Sequence, residues 1–501
     1  MDTLGYLGTG FSVAAQPTNL VVAAIGSFIG TVVGMLPGLG PINGVAILMP
    51  LAFAMKLPPE TSLILLAAVY LGCEFGGRIS SILLNVPGDA GAIMTALDGN
   101  PMARKGEAGV ALSISAWASF VGTMFATIGI TLFAPLLARW ALAFGPAEYF
   151  ALMCFAFACL TGLMGSRPMK ALLAALIGLA LSTVGVDSNS GVYRYTFDSV
   201  HLSDGIQFIV VVIGLFSVSE ILLMLEHLVS SGGMVKATGR TLFNLRELGL
   251  TWWGTVRSSL LGFVVGVLPG AGATIASAIA YAMEKRLNDK DGNFGKGDIR
   301  GVSAPEAANN ASACGSFVPM LTLGVPGSGT TAVMVGALTL YNITPGPALF
   351  DQQPQLVWGL IASLFIAAVM LLIMNIPMVG VFTRMLKLPN WMLVPGILAI
   401  STVGVYAVHA TTFDLVLMAV LGVLGYLLRK CDMPMAPLIL GFVLGDMMEQ
   451  NLRRALSITN GDLSILWASP ISIGLWVLAV AMVTVPLAVR RLSRHRTSAA
   501  A

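Results

Sequence analysis

Charge is what this chain has least of: 27 Lys and Arg and 24 Asp and Glu among 501 residues, 10% in all. An ordinary soluble domain carries about a quarter charged residues, so a chain of this composition cannot cover a water-facing surface. Cysteine is sparse too. The five (Cys73, Cys154, Cys159, Cys314, Cys431) lie mostly in apolar segments without CxxC spacing, which argues against a disulfide framework and a zinc site. Four scattered histidines form no metal constellation. The N-terminus "MDTLGYLGTGFSVAAQP" lacks a basic region ahead of an apolar one, so no cleaved signal is expected. The formal charge of +3 says little about partners.

What is present is apolar length. Hydrophobic residues make up 56% of the chain, mean hydropathy is +0.86, and continuous runs occur at Ile206–Leu225, Leu356–Val381 and Ile471–Val489. Each approaches the roughly 20 residues a helix needs to cross hydrocarbon. The runs lack period-two alternation and aromatic girdles, which excludes a barrel. The expected fold is all-α, a polytopic helical membrane protein with the lipid bilayer as its environment. About a dozen spanning or half-spanning segments are expected from length alone. They lie near 18–36, 42–55, 62–85, 108–137, 147–165, 170–187 and 205–228, then 252–268, 271–284, 305–325, 328–342, 356–384, 391–428, 435–448 and 470–489. The stretch 391–428 is long enough for two.

The most hydrophilic connection, Glu284–Arg300, has glycine and lysine but no GK[ST] after a strand, so it reads as a solvated loop. "GAGATI" after Pro269 echoes a dinucleotide fingerprint, yet no βαβ unit surrounds it and Ile275 holds the third glycine's place. The tail "RRLSRHRTSAA" follows the last apolar run directly. Its Arg490, Arg491, Arg494 and Arg496 predict a cytoplasmic C-terminus.

One pattern is written twice. "GTVVGMLPGLG" (Gly30–Gly40) and "GFVVGVLPGAG" (Gly262–Gly272) agree at eight of eleven positions. "NVPGDAGA" (Asn85–Ala92) is matched by "GVPGSGTTA" (Gly324–Ala332), and "STVGV" at Ser182–Val186 by Ser401–Val405, each followed by "TFD". The order is kept, with offsets of 232 residues for the first motif and 239 for the second. This predicts two homologous repeats, 18–228 and 250–450, joined by 229–249 and followed by 451–501 with the final helix and basic tail. An inverted relation is expected, because broken helices of inverted repeats meet at the midplane.

Proline removes a helix donor and clashes with the preceding turn, while glycine relaxes the backbone. An unsatisfied amide in hydrocarbon costs several kcal/mol, so a broken helix persists only where protein, water or a ligand meets the freed groups. Gly30-xxx-Gly34 and Gly262-xxx-Gly266 suit close helix packing. Pro37-Gly38-x-Gly40, Pro269-Gly270-x-Gly272, Pro87-Gly88 and Pro326-Gly327 read instead as openings. Their half-helix N-termini, each with roughly half a positive charge, can face one cavity and hold an anion. Asn43, Thr274, Ser328, Thr330 and Thr331 follow these breaks as candidate substrate ligands. For a small cation the candidates are Ser328, Thr330, Asn310, Glu306 and Asp89, with Asp89 equally suited to capping the next half-helix. Glu306, Asn309 and Asn310 share a helical face, and Glu306 either coordinates a cation or caps the helix at the interface. Arg78 is the basic residue nearest a break in sequence and is placed to pair with Glu74 at i, i+4.

"GTVVGMLPGLGP", "NVPGDAGAIMTALDGNPMARKG", "GFVVGVLPGAG", "APEAANNA" and "LTLGVPGSGTTAVMVGAL" together resemble the large membrane subunit of the tripartite tricarboxylate transporters, the TctA type, over nearly the whole chain. The resemblance implies a pathway for di- or tricarboxylates such as citrate in a bacterial inner membrane. It implies a small membrane subunit and a periplasmic substrate-binding protein as partners, with no nucleic acid. It implies no enzymatic activity and no cofactor beyond a coupling ion, sodium or proton. A carboxylate-selective channel or a stand-alone anion transporter is the alternative, although a channel would call for a continuous polar lining. An intramembrane enzyme would need a nucleophile with a base, and Ser328 has no histidine nearby in sequence.

Overall fold

The computed structural model describes residues 3–36, 38–163, 168–187, 190–226, 240–270, 272–290, 292–378, 380–381 and 390–498. Helices account for nearly all the regular structure. In the first half they are α1 (Thr3–Ala14), α2 (Pro17–Met35), α3 (Gly40–Ala54), α4 (Pro59–Leu84) and α5 (Ile93–Met102). Next come α6 (Ala108–Ala141), α7 (Pro146–Leu163), α8 (Pro168–Ser182) and α9 (Phe208–Glu226). The second half holds α10 (Leu245–Val267), α11 (Gly272–Asn288), α12 (Arg300–Gly315), α13 (Phe317–Leu323) and α14 (Gly329–Leu340). It continues with α15 (Pro354–Asn375), α16 (Asn390–His409), α17 (Thr412–Lys430), α18 (Met435–Ile458) and α19 (Pro470–Ser498). A two-residue hairpin pairs Gly185–Val186 with Tyr193–Arg194.

Among the described residues, six helices are long and apolar enough to cross a membrane. Of the other expected segments, 42–55 and 328–342 are the short helices α3 and α14, each of which starts at a Pro-Gly break. The expected span 305–325 is two helices, α12 and α13, and α1 and α5 were not expected at all. The chain turns out of α5 at Gly106, whose φ of +86° a side chain would resist.

The centre of the molecule is α4. Every residue from Thr61 to Leu83 is buried, Glu74 and Arg78 included. Small residues let α2 lie against it. A Cβ added at Gly26 would come 2.8 Å from the Leu65 carbonyl oxygen, and one at Gly30 or Gly34 would overlap the Val69 or Cys73 carbonyl. In the second half the same contact is made by α10 on α12, where Gly262 and Gly266 meet the carbonyls of Ala308 and Ser312. The contacted pairs (69 to 308, 73 to 312) stand 239 residues apart, like Pro87 and Pro326. The outer helices are sided differently. On α17, Val416, Val420, Val423 and Leu427 are exposed as one stripe, while Met418, Leu421, Gly422 and Gly425 are buried. Such a stripe suits lipid, where apolar side chains face outward.

A side chain that the sequence did not single out helps to tie the Glu284–Arg300 connection to the helices, beside the Lys105 ammonium that donates to the Lys296 carbonyl. Asp98 of α5 is fully buried, and its Oδ1 accepts from the amides of Gly295 (2.8 Å), Gly297 (2.8 Å) and Asp298 (2.9 Å). Its Oδ2 accepts from the Tyr281 hydroxyl at 2.9 Å. Hydrogen bonds to a charged acceptor contribute about 1.5–3 kcal/mol each. Asp98→Ala is therefore expected to speed amide exchange at Gly295, Gly297 and Asp298 by about a hundredfold or more, equivalent to about 2.8 kcal/mol. Exchange unchanged at those amides would mean the loop is held elsewhere.

Candidate functional site

Both copies of the eleven-residue pattern fold alike. Helix α2 ends at Leu36 (φ −79°, ψ 120°) with its amide donating to the Val33 carbonyl, and α10 ends at Leu268 (φ −76°, ψ 123°) with its amide donating to Val265, both at 3.1 Å. Gly38 and Gly40 then take φ of +89° and +61°, and Gly270 and Gly272 take +77° and +68°. Four left-handed residues turn the chain out of one helix and straight into the next, α3 or α11. Only glycine does this without steric cost.

The Val-Pro-Gly breaks also run in parallel. Helix α4 stops at Asn85 and α13 at Gly324, both left-handed, as C-caps commonly are. Beyond each Pro-Gly a side chain caps the following segment. The Asp89 Oδ1 accepts from the Ala92 amide at 2.7 Å. Ser328 and Thr331 form a reciprocal capping box at the start of α14. The two kinds of break touch each other, since the Gly270 amide donates to the Gly327 carbonyl at 2.9 Å.

All four breaks open on one cavity of about 810 Å³. Of the residues expected from sequence, Gly38, Gly40, Asn43, Pro87, Gly88, Asp89, Gly270, Gly272, Thr274, Ser328 and Thr330 line it. Pro269, Pro326 and Gly327 shape the turns from behind. Thr331 is buried in the capping box and does not reach the lining. Pro37 lies outside the described residues.

Two of the three polar residues expected on one face of α12, Glu306 and Asn310, lie off the cavity. Glu306 is not an interfacial cap: it is fully buried in mid-helix, with Oε1 accepting from Thr95 Oγ1 (2.6 Å) and Oε2 from Ser119 Oγ (3.0 Å). Asn310 donates to the Glu306 carbonyl at 3.1 Å. Neither lines the cavity, so the five expected cation ligands do not converge. Arg78 also departs from expectation. Its guanidinium leaves Glu74 and donates to the Leu112 carbonyl (2.6 Å), Ser115 Oγ (2.7 Å) and Asn375 Oδ1 (3.0 Å). The i, i+4 spacing offers the pair, but both terminal nitrogens of the guanidinium take partners on α6 and α15 instead.

Three polar lining residues were missed: Tyr70, Glu74 and Arg429. The Tyr70 hydroxyl lies 3.3 Å from Ser328 Oγ and 3.4 Å from Ser316 Oγ. Arg429 comes from the last turn of α17, bonds the Glu220 carboxylate of α9, and sits over the Phe216 ring. No local motif marks it. It is a basic residue closing an apolar helix, which reads as an interfacial anchor until the tertiary fold turns it inward.

The cavity is electrically two-sided. The first residues of α3, α11 and α14, with Ile93 at the start of α5, lie on its wall, so several helix N-termini point into one space. With Arg429 they favour an anion. Pro41 in the first turn of α3 has no amide hydrogen to offer, whereas Ala273 at the same place in α11 has one. Thr330→Val and Thr331→Val are expected to part company here. The first should weaken ligand binding with little loss of stability, and the second should cost about 0.5–2 kcal/mol of stability as a lost cap. Paired thermal melts and uptake assays check this; equal effects of both variants on both readouts would contradict the separation of roles.

A family model described as "Tripartite tricarboxylate transporter TctA family" matches residues 20–440. The chain is 40% identical over 487 residues, 97% of both chains, to "Uncharacterized 52.8 kDa protein in TAR-I ttuC' 3'region" of Agrobacterium vitis. It is 44% identical over 228 residues, 45% of this chain and 94% of the relative, to "Uncharacterized protein in TAR-II ttuC' 3'region" of the same organism. No solved structure matches it.

Proposed function

From the premise that the chain belongs to the tripartite tricarboxylate transporter TctA family, we propose that it forms the translocation pathway of a secondary transporter for di- or tricarboxylates. It works in a bacterial inner membrane with a small membrane subunit and a periplasmic substrate-binding protein, and an ion gradient drives it. Its C-terminus lies in the cytoplasm. Residues 18–228 and 250–450 are two repeats, a reading that the matched backbone angles at Gly38/Gly270 and Gly40/Gly272 support, and their relation in the membrane is inverted.

One observation carries this reading: four helix breaks from both halves, with Arg429, surround a single cavity of about 810 Å³. A tricarboxylate brings up to three negative charges, and helix starts plus one guanidinium offset them without a cluster of buried cations. The carboxylates are placed against Gly40–Asn43, Gly272–Thr274 and Ser328–Thr330, with Pro87, Gly88 and Tyr70 closing the wall.

The test is reconstitution of the chain with its small membrane subunit in liposomes, followed by uptake of labelled citrate. Uptake is expected only with loaded binding protein outside and an ion gradient across the membrane. Flux that follows the citrate gradient alone would make the chain a channel; flux without binding protein would make it a stand-alone transporter.

A further inference from the structure

Two carboxyl groups face the cavity with no cationic side chain beside them among the described residues. Glu74 of α4 is only 2% exposed, and its Oε2 accepts from Asn309 Nδ2 at 2.8 Å. Asp89 reaches it from the Pro87–Gly88 break, and the two interact electrostatically. Gly77, three residues after Glu74, gives Asp89 room: a Cβ there would lie 3.0 Å from the Asp89 Cγ. One Asp89 oxygen caps the next segment, while the other, Oδ2, is buried without a hydrogen-bond partner.

A second and independent feature points to a ligand. Asn309 is fully buried, and its Oδ1 has no partner either. Its Nδ2 is committed to Glu74, which fixes the side chain so that Oδ1 faces Gly91, two residues after Asp89 in the same break. A Cβ at Gly91 would come within 1.9 Å of that oxygen. The arginines are engaged elsewhere, Arg78 with α6 and α15, and Arg429 with Glu220. Another buried carboxylate, Glu306, has both oxygens hydrogen-bonded and lies off the cavity.

Buried charges of one sign without a counter-ion are strongly unfavourable. A proton shared between Glu74 and Asp89 would relieve their repulsion, but it would leave Asn309 Oδ1 with nothing. A cation meets all three oxygens at once. Calcium takes six to eight oxygens and magnesium a full octahedron, whereas this cluster offers three protein side chains and an open side toward the cavity. We propose that Glu74, Asp89 and Asn309 bind one sodium ion, with substrate or water oxygens completing its shell from the cavity side. The same ion then offsets the charge of the carboxylate held by the helix starts and Arg429, which ties ion and substrate to one step. The inference rests on the transport reading and names its coupling ion.

The test is equilibrium binding of radioactive sodium to the purified full-length chain in detergent. Wild type is expected to bind it saturably, with calcium at equal concentration failing to displace it. Glu74→Gln and Asp89→Asn keep shape and are expected to raise the half-saturating concentration at least tenfold. Asn309→Leu is expected to raise it several-fold, and Glu306→Gln to leave it unchanged. Variants are compared only where gel filtration shows the wild-type profile, and either of the two isosteric carboxamides suffices. Unchanged binding in both, loss in Glu306→Gln alone, or no sodium binding by wild type would each overturn the site. Labelled citrate uptake by the reconstituted complex separates the two failures. Uptake driven equally by a proton gradient without sodium would defeat this inference alone, while no uptake under any gradient would defeat the transport reading itself.

Discussion

Arg429→Gln is expected to cut citrate uptake by about a hundredfold or more, with the loss falling mainly on KM. Charge-assisted hydrogen bonds are worth about 1.5–3 kcal/mol each, or roughly 10- to 150-fold in binding. A guanidinium facing a carboxylate can make two of them. Among the described residues, Arg429 is the basic side chain on the cavity wall, and it already holds one carboxylate, that of Glu220. A substrate carboxylate would compete for the same fork. Arg429→Lys keeps the charge but not the fork, so it should recover part of the uptake. Glu220→Gln weakens the internal competitor and is expected to lower KM. Wild-type KM in Arg429→Gln would show that the guanidinium serves only to fasten α17 to α9.

Gly270→Leu is expected to abolish uptake while the chain still inserts into the membrane. The glycine has φ of +77°, and a Cβ there would come within 2.5 Å of Leu160 Cγ on the cavity wall. Left-handed backbone costs a side chain about 1–2 kcal/mol, and leucine would also fill space that the ligand needs. Gly38→Leu is expected to behave likewise, since its Cβ would press on the Glu220 carboxylate that holds Arg429. Gly34→Leu should differ in kind. It would drive a side chain into the Cys73 carbonyl at the α2–α4 contact, so the amount of folded protein should fall along with its activity. Quantifying membrane-extracted protein beside uptake checks the distinction. Normal uptake by Gly270→Leu and Gly38→Leu would return these glycines to packing.

These contrasts trace what the sequence made readable. The doubled Pro-Gly-x-Gly pattern was legible because a helix break needs particular residues in consecutive positions, and the structure turns the chain there in both halves. The packing glycines were legible for a related reason: the i, i+4 spacing of Gly30 and Gly34 is a surface property of one helix. Arg429 and Glu74 were not legible as cavity residues. Each belongs to an otherwise ordinary helix, and its role comes from what lies opposite: Glu220 is 209 positions away from Arg429, and Asn309 is 235 away from Glu74. Glu306 lies off the cavity for the complementary reason. A buried carboxylate is rare enough to suggest function, yet hydroxyls from α5 and α6 satisfy both of its oxygens. Asp98 was passed over among glycine and asparagine, because the amides it holds come from a loop almost two hundred residues further on.

The central claim is that a carboxylate sits where the four breaks converge. The most direct measurement is a cryo-electron microscopy structure of the chain with its small membrane subunit in saturating citrate. The account predicts density for the ligand within the cavity of about 810 Å³, against the first residues of α3, α11 and α14 and within hydrogen-bonding distance of Arg429. Citrate bound in the second cavity, of about 700 Å³, beside Arg194 and Asp446, with the first left empty, would contradict it.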